Sequence, residues 1–320
     1  MTENTPPTAP KREPDDGSPK IYLLPNLMTA GNLFCGFLAT LKILHGTLAV
    51  STAMASAQVV KRMMDVSQTL DPGNAVYQQV AQGMMDVSRA LDAGNHDFKT
   101  AIWCILAACI FDLLDGRLAR LGGTDSAFGR EFDSLADIVS FGVAPALMVS
   151  RVVLRDFEKL GWLVASLYLI CGALRLARFN CIAASGVPGA GKDFKGFPIP
   201  AAAGLVASIT LFMLWLNNDS IEHGLTKWVL PPLLVFLSWM MFSGFRYPSF
   251  KAINWRTTRS VPKFIAIVVT ISLTVMYYER MLAVIFITYL LYGFLRPFLS
   301  RKIKEGIEDE IEDEEEAGSP

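Results

Sequence analysis

Apolar residues in this chain gather in long blocks separated by short charged stretches. A helix crossing the hydrocarbon core of a bilayer needs about 20 mainly apolar residues. Blocks near that length stand at 23–44, 99–121, 134–154, 161–182, 199–216, 228–245, 262–278 and 281–299. The pattern predicts an all-α, polytopic transmembrane bundle of about eight spans. Residues 1–20 have no apolar core and run through Pro6, Pro7, Pro10, Asp15, Asp16 and Gly17. They read as a disordered cytoplasmic tail, not a secretory signal. Residues 301–320 read as an acidic disordered tail, with nine of the 30 acids between Glu305 and Glu316.

Lys and Arg set the expected orientation, because cytoplasmic loops carry their excess. With the N-terminus inside, clusters of three, three, four, five and four basic residues fall on the inner side, nineteen of the 29 in the chain. An even number of spans puts both termini on that side, so N-in/C-in is expected. Between the first two spans, MMDVSQTLDPGN at 63–74 returns as MMDVSRALDAGN at 84–95. This marks residues 54–95 as a tandem duplication inserted outside the cytoplasm. Each copy reads as a short helix stopped by Gly-Asn.

Composition agrees with the blocks. The 320 residues are 52% hydrophobic and 18% charged, with mean hydropathy +0.36, whereas soluble domains average about 25% charged residues. With 29 basic against 30 acidic residues there is no basic excess to bind nucleic acid. The five cysteines (35, 104, 109, 171 and 181) lie in or at the ends of the apolar blocks without metal-ligand spacing, and read as packing residues.

One cluster of charge stands inside the apolar pattern. Asp112 and Asp115 are three apart near the end of the second block, and Asp133 and Asp137 are four apart at the start of the third. On helices each pair projects from one face, so four carboxylates converge from two neighbouring helices. Charge at membrane depth is costly and marks function. Gathered carboxylates repel one another unless a cation neutralises them, and all-oxygen ligands suit hard cations such as Mg²⁺ or Mn²⁺. Two such ions stabilise attacking and leaving oxygens in displacement at phosphorus. Gly116 and Ala119 lack bulk where phosphates would approach, and Arg120 offers a planar fork for them. An intramembrane proton relay or cation transporter also uses buried carboxylates, but leaves the Gly-x-x-Ala-Arg run without a role. His45, His96 and His223 fall on the side away from this motif. No Ser or Cys stands beside a His-type base, so direct in-line transfer is expected.

The stretch 112–137 resembles the D-x2-D-G-x2-A-R-x8-G-x3-D-x3-D signature of the CDP-alcohol phosphotransferases at every defined position. The resemblance implies a membrane enzyme that moves a phosphatidyl-type group from a CDP-linked donor to an alcohol and releases CMP. It implies Asp112, Asp115 and Asp133 as ligands of two divalent metal ions, and Asp137 as both ligand and catalytic base. It places Gly116, Arg120 and Ser126, with Ala119 and Gly129 of the signature, at the nucleotide and diphosphate. The runs Pro25–Phe37, Ala173–Asn180 and Gly196–Ala203 resemble those of the membrane-embedded phosphatidylserine synthases. The domain then covers 21–300, with CDP-diacylglycerol and L-serine as substrates, membrane lipids as surroundings, a bacterial inner membrane as location, the active site on the cytoplasmic side, and a homodimer as the assembly. Asn26 and Thr29 open a helix whose N-terminus favours phosphate. Arg175, Arg178 and Asn180 lie at the cytoplasmic end of the fourth span, where an arginine can pair with the carboxylate of serine. Glycerol 3-phosphate or an inositol compound is the other acceptor class, for which the two arginines would form a phosphate clamp.

Overall fold

The computed structural model describes residues 23–67, 75–122, 126–155, 157–184, 194–218, 226–243, 246–247 and 261–295. The expected tails 1–20 and 301–320 and the Gly73-Asn74 stop of the first repeat lie outside them, as does His223. The described chain is helical apart from one two-residue antiparallel pairing, in which β1 (Phe194–Lys195) aligns Phe194 with Tyr247 and Lys195 with Arg246 of β2 (Arg246–Tyr247).

Two long helices dominate, α1 (Leu23–Ser67) and α2 (Ala75–Gly122). At 1.5 Å per residue they run about 68 and 72 Å, more than twice the hydrocarbon thickness of about 30 Å. They form an antiparallel hairpin whose contacts pair Val60 with Gly83, Val50 with Gly94 and Gly31 with Phe111. The described parts of the two repeats, residues 54–67 and 75–95, therefore continue the helices that carry the first two expected spans. Gly94-Asn95 does not stop a helix as expected, but lies within α2. The reason is packing: a Cβ on Gly94 would stand 2.4 Å from Val50 Cγ2 and 3.1 Å from the Gly46 carbonyl oxygen. This glycine lets α2 press against α1.

The third span is not one regular helix. It runs as α3 (Ala127–Asp137), a π-helical turn (Ile138–Val143), α4 (Ala144–Met148) and a second π-helical turn (Val149–Val153). Ser126 caps α3 by accepting the Gly129 N–H at 3.0 Å. After the third span come α5 (Glu158–Ala184), α6 (Ile199–Asn218), α7 (Thr226–Phe242), α8 (Val261–Met276) and α9 (Tyr278–Leu295).

Among the described residues five stretches are long and apolar enough to cross a membrane: Leu23–Asp65, Ala127–Val152, Lys159–Ile182, Ile199–Leu216 and Tyr278–Leu295. Pro231–Phe242 and Ile265–Met276 are apolar but shorter. The expected second span lies inside α2, where Asp112, Asp115 and Arg117 interrupt the apolar run. The core sits where α1, α2, the third span, α5, α6 and α7 meet, around Ile43, Ile105, Phe141, Tyr168, Phe197 and Leu205. All five cysteines are free thiols; Cys35, Cys104, Cys109 and Cys171 pack against this core, and Cys181 is exposed.

Candidate active site

The end of α2 and the start of the third span bring the aspartates together. Asp112, Asp133 and Asp137 each offer a carboxylate oxygen within 4.8 Å of the others. Asp137 is buried and Asp112 and Asp133 are half-buried. Asp115, also buried, stands within electrostatic reach of Asp133 and Asp112. Its Oδ2 accepts the Thr29 hydroxyl at 3.1 Å, and the Gly116 N–H also reaches it. Three like charges this close inside an apolar bundle fit a hard divalent cation, because only carboxylate oxygens are offered.

The first helix supplies the opposite wall through residues spaced by three. Thr29 and Asn32, three apart on α1, each donate to a carboxylate, and Asn26 lies three residues before Thr29. Asn32 Nδ2 donates to Asp137 Oδ1 at 3.1 Å, and the Ser140 hydroxyl donates to the Asn32 carbonyl at 2.9 Å. Ser140 comes this close because α1 has a glycine one turn on: a Cβ on Gly36 would lie 2.1 Å from Ser140 Oγ and 2.5 Å from its Cα. The π-helical turn thus seats against α1 directly behind Asp137. Asn26 stands near Gly129, its Oδ1 3.5 Å from where a Cβ there would be. Asn26 Nδ2 is buried without a partner among the described residues.

The three α5 residues expected at the acceptor side do different things. Arg178 donates to the carbonyls of Phe242 at 3.0 Å and Ser243 at 3.3 Å, and its guanidinium lies 5.3 Å from the Phe242 ring centre. It closes the C-terminus of α7. Gly196, at φ +89°, lies beneath it, and a Cβ there would meet the Met241 carbonyl oxygen at 2.3 Å. Asn180 Nδ2 donates to Ser134 Oγ at 2.9 Å, tying α5 to α3 between Asp133 and Asp137. Arg175 is 6% exposed and within electrostatic reach of Asp137 and Asp112. Its Nε has no partner among the described residues.

Gly116 lies half-buried on the last turns of α2. Ala119 and Arg120 belong to the same helix, and their side chains lie outside the described residues. Asn32 and the α9 phenol of Tyr289, which lies near Arg175 and packs on Phe197 with ring centres 5.6 Å apart, are site residues that motif reading missed.

Residues 81–242, just over half of the chain, match the family model of CDP-alcohol phosphatidyltransferase. The chain belongs to this family. It is 40% identical over 201 residues, 63% of its length and 81% of the relative's, to a Helicobacter pylori protein named CDP-diacylglycerol–serine O-phosphatidyltransferase. A protein of the same name from Mycobacterium leprae is 47% identical over 110 residues, 34% of this chain and 36% of that one. An archaetidylserine synthase from Methanothermobacter thermautotrophicus is 37% identical over 146 residues, 45% of this chain and 56% of that one. The matched region contains all four aspartates, so the family signature and the carboxylate cluster are one feature.

Proposed function

We propose that this chain transfers the phosphatidyl group of CDP-diacylglycerol to the hydroxyl of L-serine, giving phosphatidylserine and CMP. Family membership and the names of its relatives support the reaction class. The observation that carries the acceptor is Arg175, a buried guanidinium beside Asp137 with an unused Nε. It suits the carboxylate of an amino acid. Arg178 is already committed to the end of α7, which favours one arginine on a carboxylate over a two-arginine clamp on a phosphorylated acceptor.

Asp112, Asp115, Asp133 and Asp137 would hold two divalent cations, Mg²⁺ or Mn²⁺, which when bound supply charge neutralisation at the diphosphate. Asp137 takes the proton of the serine hydroxyl. The hydroxyl oxygen forms its bond to the phosphorus that carries diacylglycerol, the bond from that phosphorus to CMP breaks, and the electron pair leaves with CMP. Asn26, Thr29, Gly116, Ala119, Arg120, Ser126 and Gly129 form the donor side, where Asn26 Nδ2 offers an unused N–H to phosphate. Asn180 acts on this chemistry through Ser134. The reading includes eight spans across a bacterial inner membrane, both termini and the active site on the cytoplasmic side, a catalytic domain over 21–300 carrying the helical insert at 54–95, and two copies per assembly.

The test is CMP release from CDP-diacylglycerol by purified protein with Mn²⁺. L-serine is expected to stimulate it and a chelator to stop it. No stimulation by serine, with stimulation by glycerol 3-phosphate or an inositol phosphate, moves the chain to the other acceptor class.

A further inference from the structure

Two side chains that interact with Asp137, Asn32 by a hydrogen bond and Arg175 electrostatically, each carry a buried polar atom with no partner among the described residues: Arg175 Nε, a donor, and Asn32 Oδ1, an acceptor. Asn32 is 0% exposed. Its amide orientation follows from chemistry, because the atom 3.1 Å from the Asp137 carboxylate has to be the donating nitrogen, which leaves the oxygen on the other side. The Asn32 backbone is held as well, by the Ser140 hydroxyl and by the close approach of the π-helical turn at Gly36. With its backbone seated there and Nδ2 bonded to Asp137, the oxygen lies away from that carboxylate, buried and without a partner among the described residues. A buried group left in this state calls for a cause, and a ligand that completes it is one.

Resting on the acceptor reading above, we propose that Asn32 Oδ1 accepts a hydrogen bond from the ammonium group of the acceptor, making Asn32 the residue that selects an α-amino acid. Three groups then surround one small molecule: Asp137 at its hydroxyl, Arg175 at its carboxylate and Asn32 at its ammonium. A β-hydroxy-α-amino acid carries hydroxyl and ammonium on adjacent carbons, as Asp137 and Asn32 are adjacent in the site. An acceptor lacking the ammonium leaves Asn32 Oδ1 buried and unsatisfied, and such a missing partner is penalised more heavily than a lost methylene.

The experiment compares kcat/KM for L-serine and for 3-hydroxypropionate, which is serine without its amino group, in CMP release by the full chain with Mn²⁺ and CDP-diacylglycerol. The unaltered protein is expected to prefer serine by roughly ten- to hundredfold, the range of a charge-assisted hydrogen bond. In Asn32→Ala both rates fall, because Asp137 loses a donor, and the preference falls by about tenfold or more. Equal use of the two acceptors by the unaltered protein overturns the proposal whether or not the variant folds. It is also overturned if Asn32→Ala slows both acceptors by one factor, or raises the half-saturating Mn²⁺ concentration with the preference intact, which would make Oδ1 a cation ligand. Absence of any serine turnover defeats the acceptor reading itself, whereas serine turnover with an unaltered preference defeats only the role of Asn32.

Discussion

The Thr29 hydroxyl on α1 lies 3.1 Å from Asp115 Oδ2 on α2, 86 residues later in the chain, and so joins the first helix to the carboxylate site. The same hydroxyl is 3.2 Å from the Pro25 carbonyl, so the helix start and the aspartate share one donor. Groups that orient a ligand carboxylate typically change metal affinity or activity by 10–100-fold when removed. Thr29→Val is expected to raise the Mn²⁺ concentration for half-maximal CMP release by roughly that factor, and Thr29→Ser to restore it. A metal titration unchanged in Thr29→Val would remove Thr29 from the support of Asp115.

Close packing predicts a graded response at two glycines. An added Cβ at Gly36 meets the backbone of Ser140 at 2.5 Å, whereas at Gly94 the nearest atom, at 2.4 Å, is the end of the Val50 side chain. Overpacking costs about 1–3 kcal/mol, more where the backbone has to move. Gly36→Ala is therefore expected to lower the unfolding midpoint in detergent more than Gly94→Ala. It should also depress kcat, because Ser140 and Asp137 share the displaced segment. Equal midpoints for the two variants would show that the π-helical turn yields freely.

Removing the proposed base isolates the chemical step. Asp137→Asn keeps the size of the side chain but loses the proton acceptor, and general base catalysis contributes 10²–10⁴-fold. CMP release is expected to fall by at least about 10², while CDP-diacylglycerol still protects the variant against thermal unfolding. Retained turnover would take Asp137 out of the proton transfer.

What the sequence discloses here depends on the range of the interaction. Asp112, Asp115, Asp133 and Asp137 are legible because their spacing and their place among apolar residues are local facts. Asn32 lies inside the run Pro25–Phe37, outside the aspartate signature. The three-residue spacing of Asn26, Thr29 and Asn32 on an apolar helix was its signal. Gly94-Asn95 misled because a glycine that ends a helix and one that admits a neighbouring helix look alike until the neighbour is known. The π-helical turn after Asp137 has no local signal, since the contact it makes, Ser140 against Gly36, is with a helix about a hundred residues earlier. Arg175 and Arg178 could not be told apart, because the partner that claims Arg178 lies 64 residues away at Phe242.

The two arginines should separate in assay. Arg178→Ala removes the donors that close α7, a loss of about 1–2 kcal/mol expected in the unfolding midpoint, with the KM for serine of the surviving protein little changed. Arg175→Ala is expected to raise that KM by about tenfold or more. A large KM effect from Arg178→Ala at unchanged stability would reverse these assignments.

Far from the carboxylate site, Asp97 predicts how stability responds to acid. It lies on α2 just ahead of the expected second span, is 5% exposed, and pairs with Lys42 Nζ at 2.8 Å and His45 Nδ1 at 2.5 Å. Burial alone would raise its carboxyl, but the bonds and charges of Lys42 and His45 outweigh that and hold it below the usual value. A carboxylate whose folded pKa is depressed stabilises the fold above its unfolded value of about 3.9, and loses that contribution as pH falls through the folded one. The unfolding midpoint of the unaltered protein should therefore drop steeply below about pH 4. Asp97→Asn should lower the midpoint at pH 7, by about 1.5 kcal/mol given that Lys42 is one-third exposed, and flatten the acid limb. An acid limb as steep in Asp97→Asn as in the unaltered protein would assign acid sensitivity to other carboxylates.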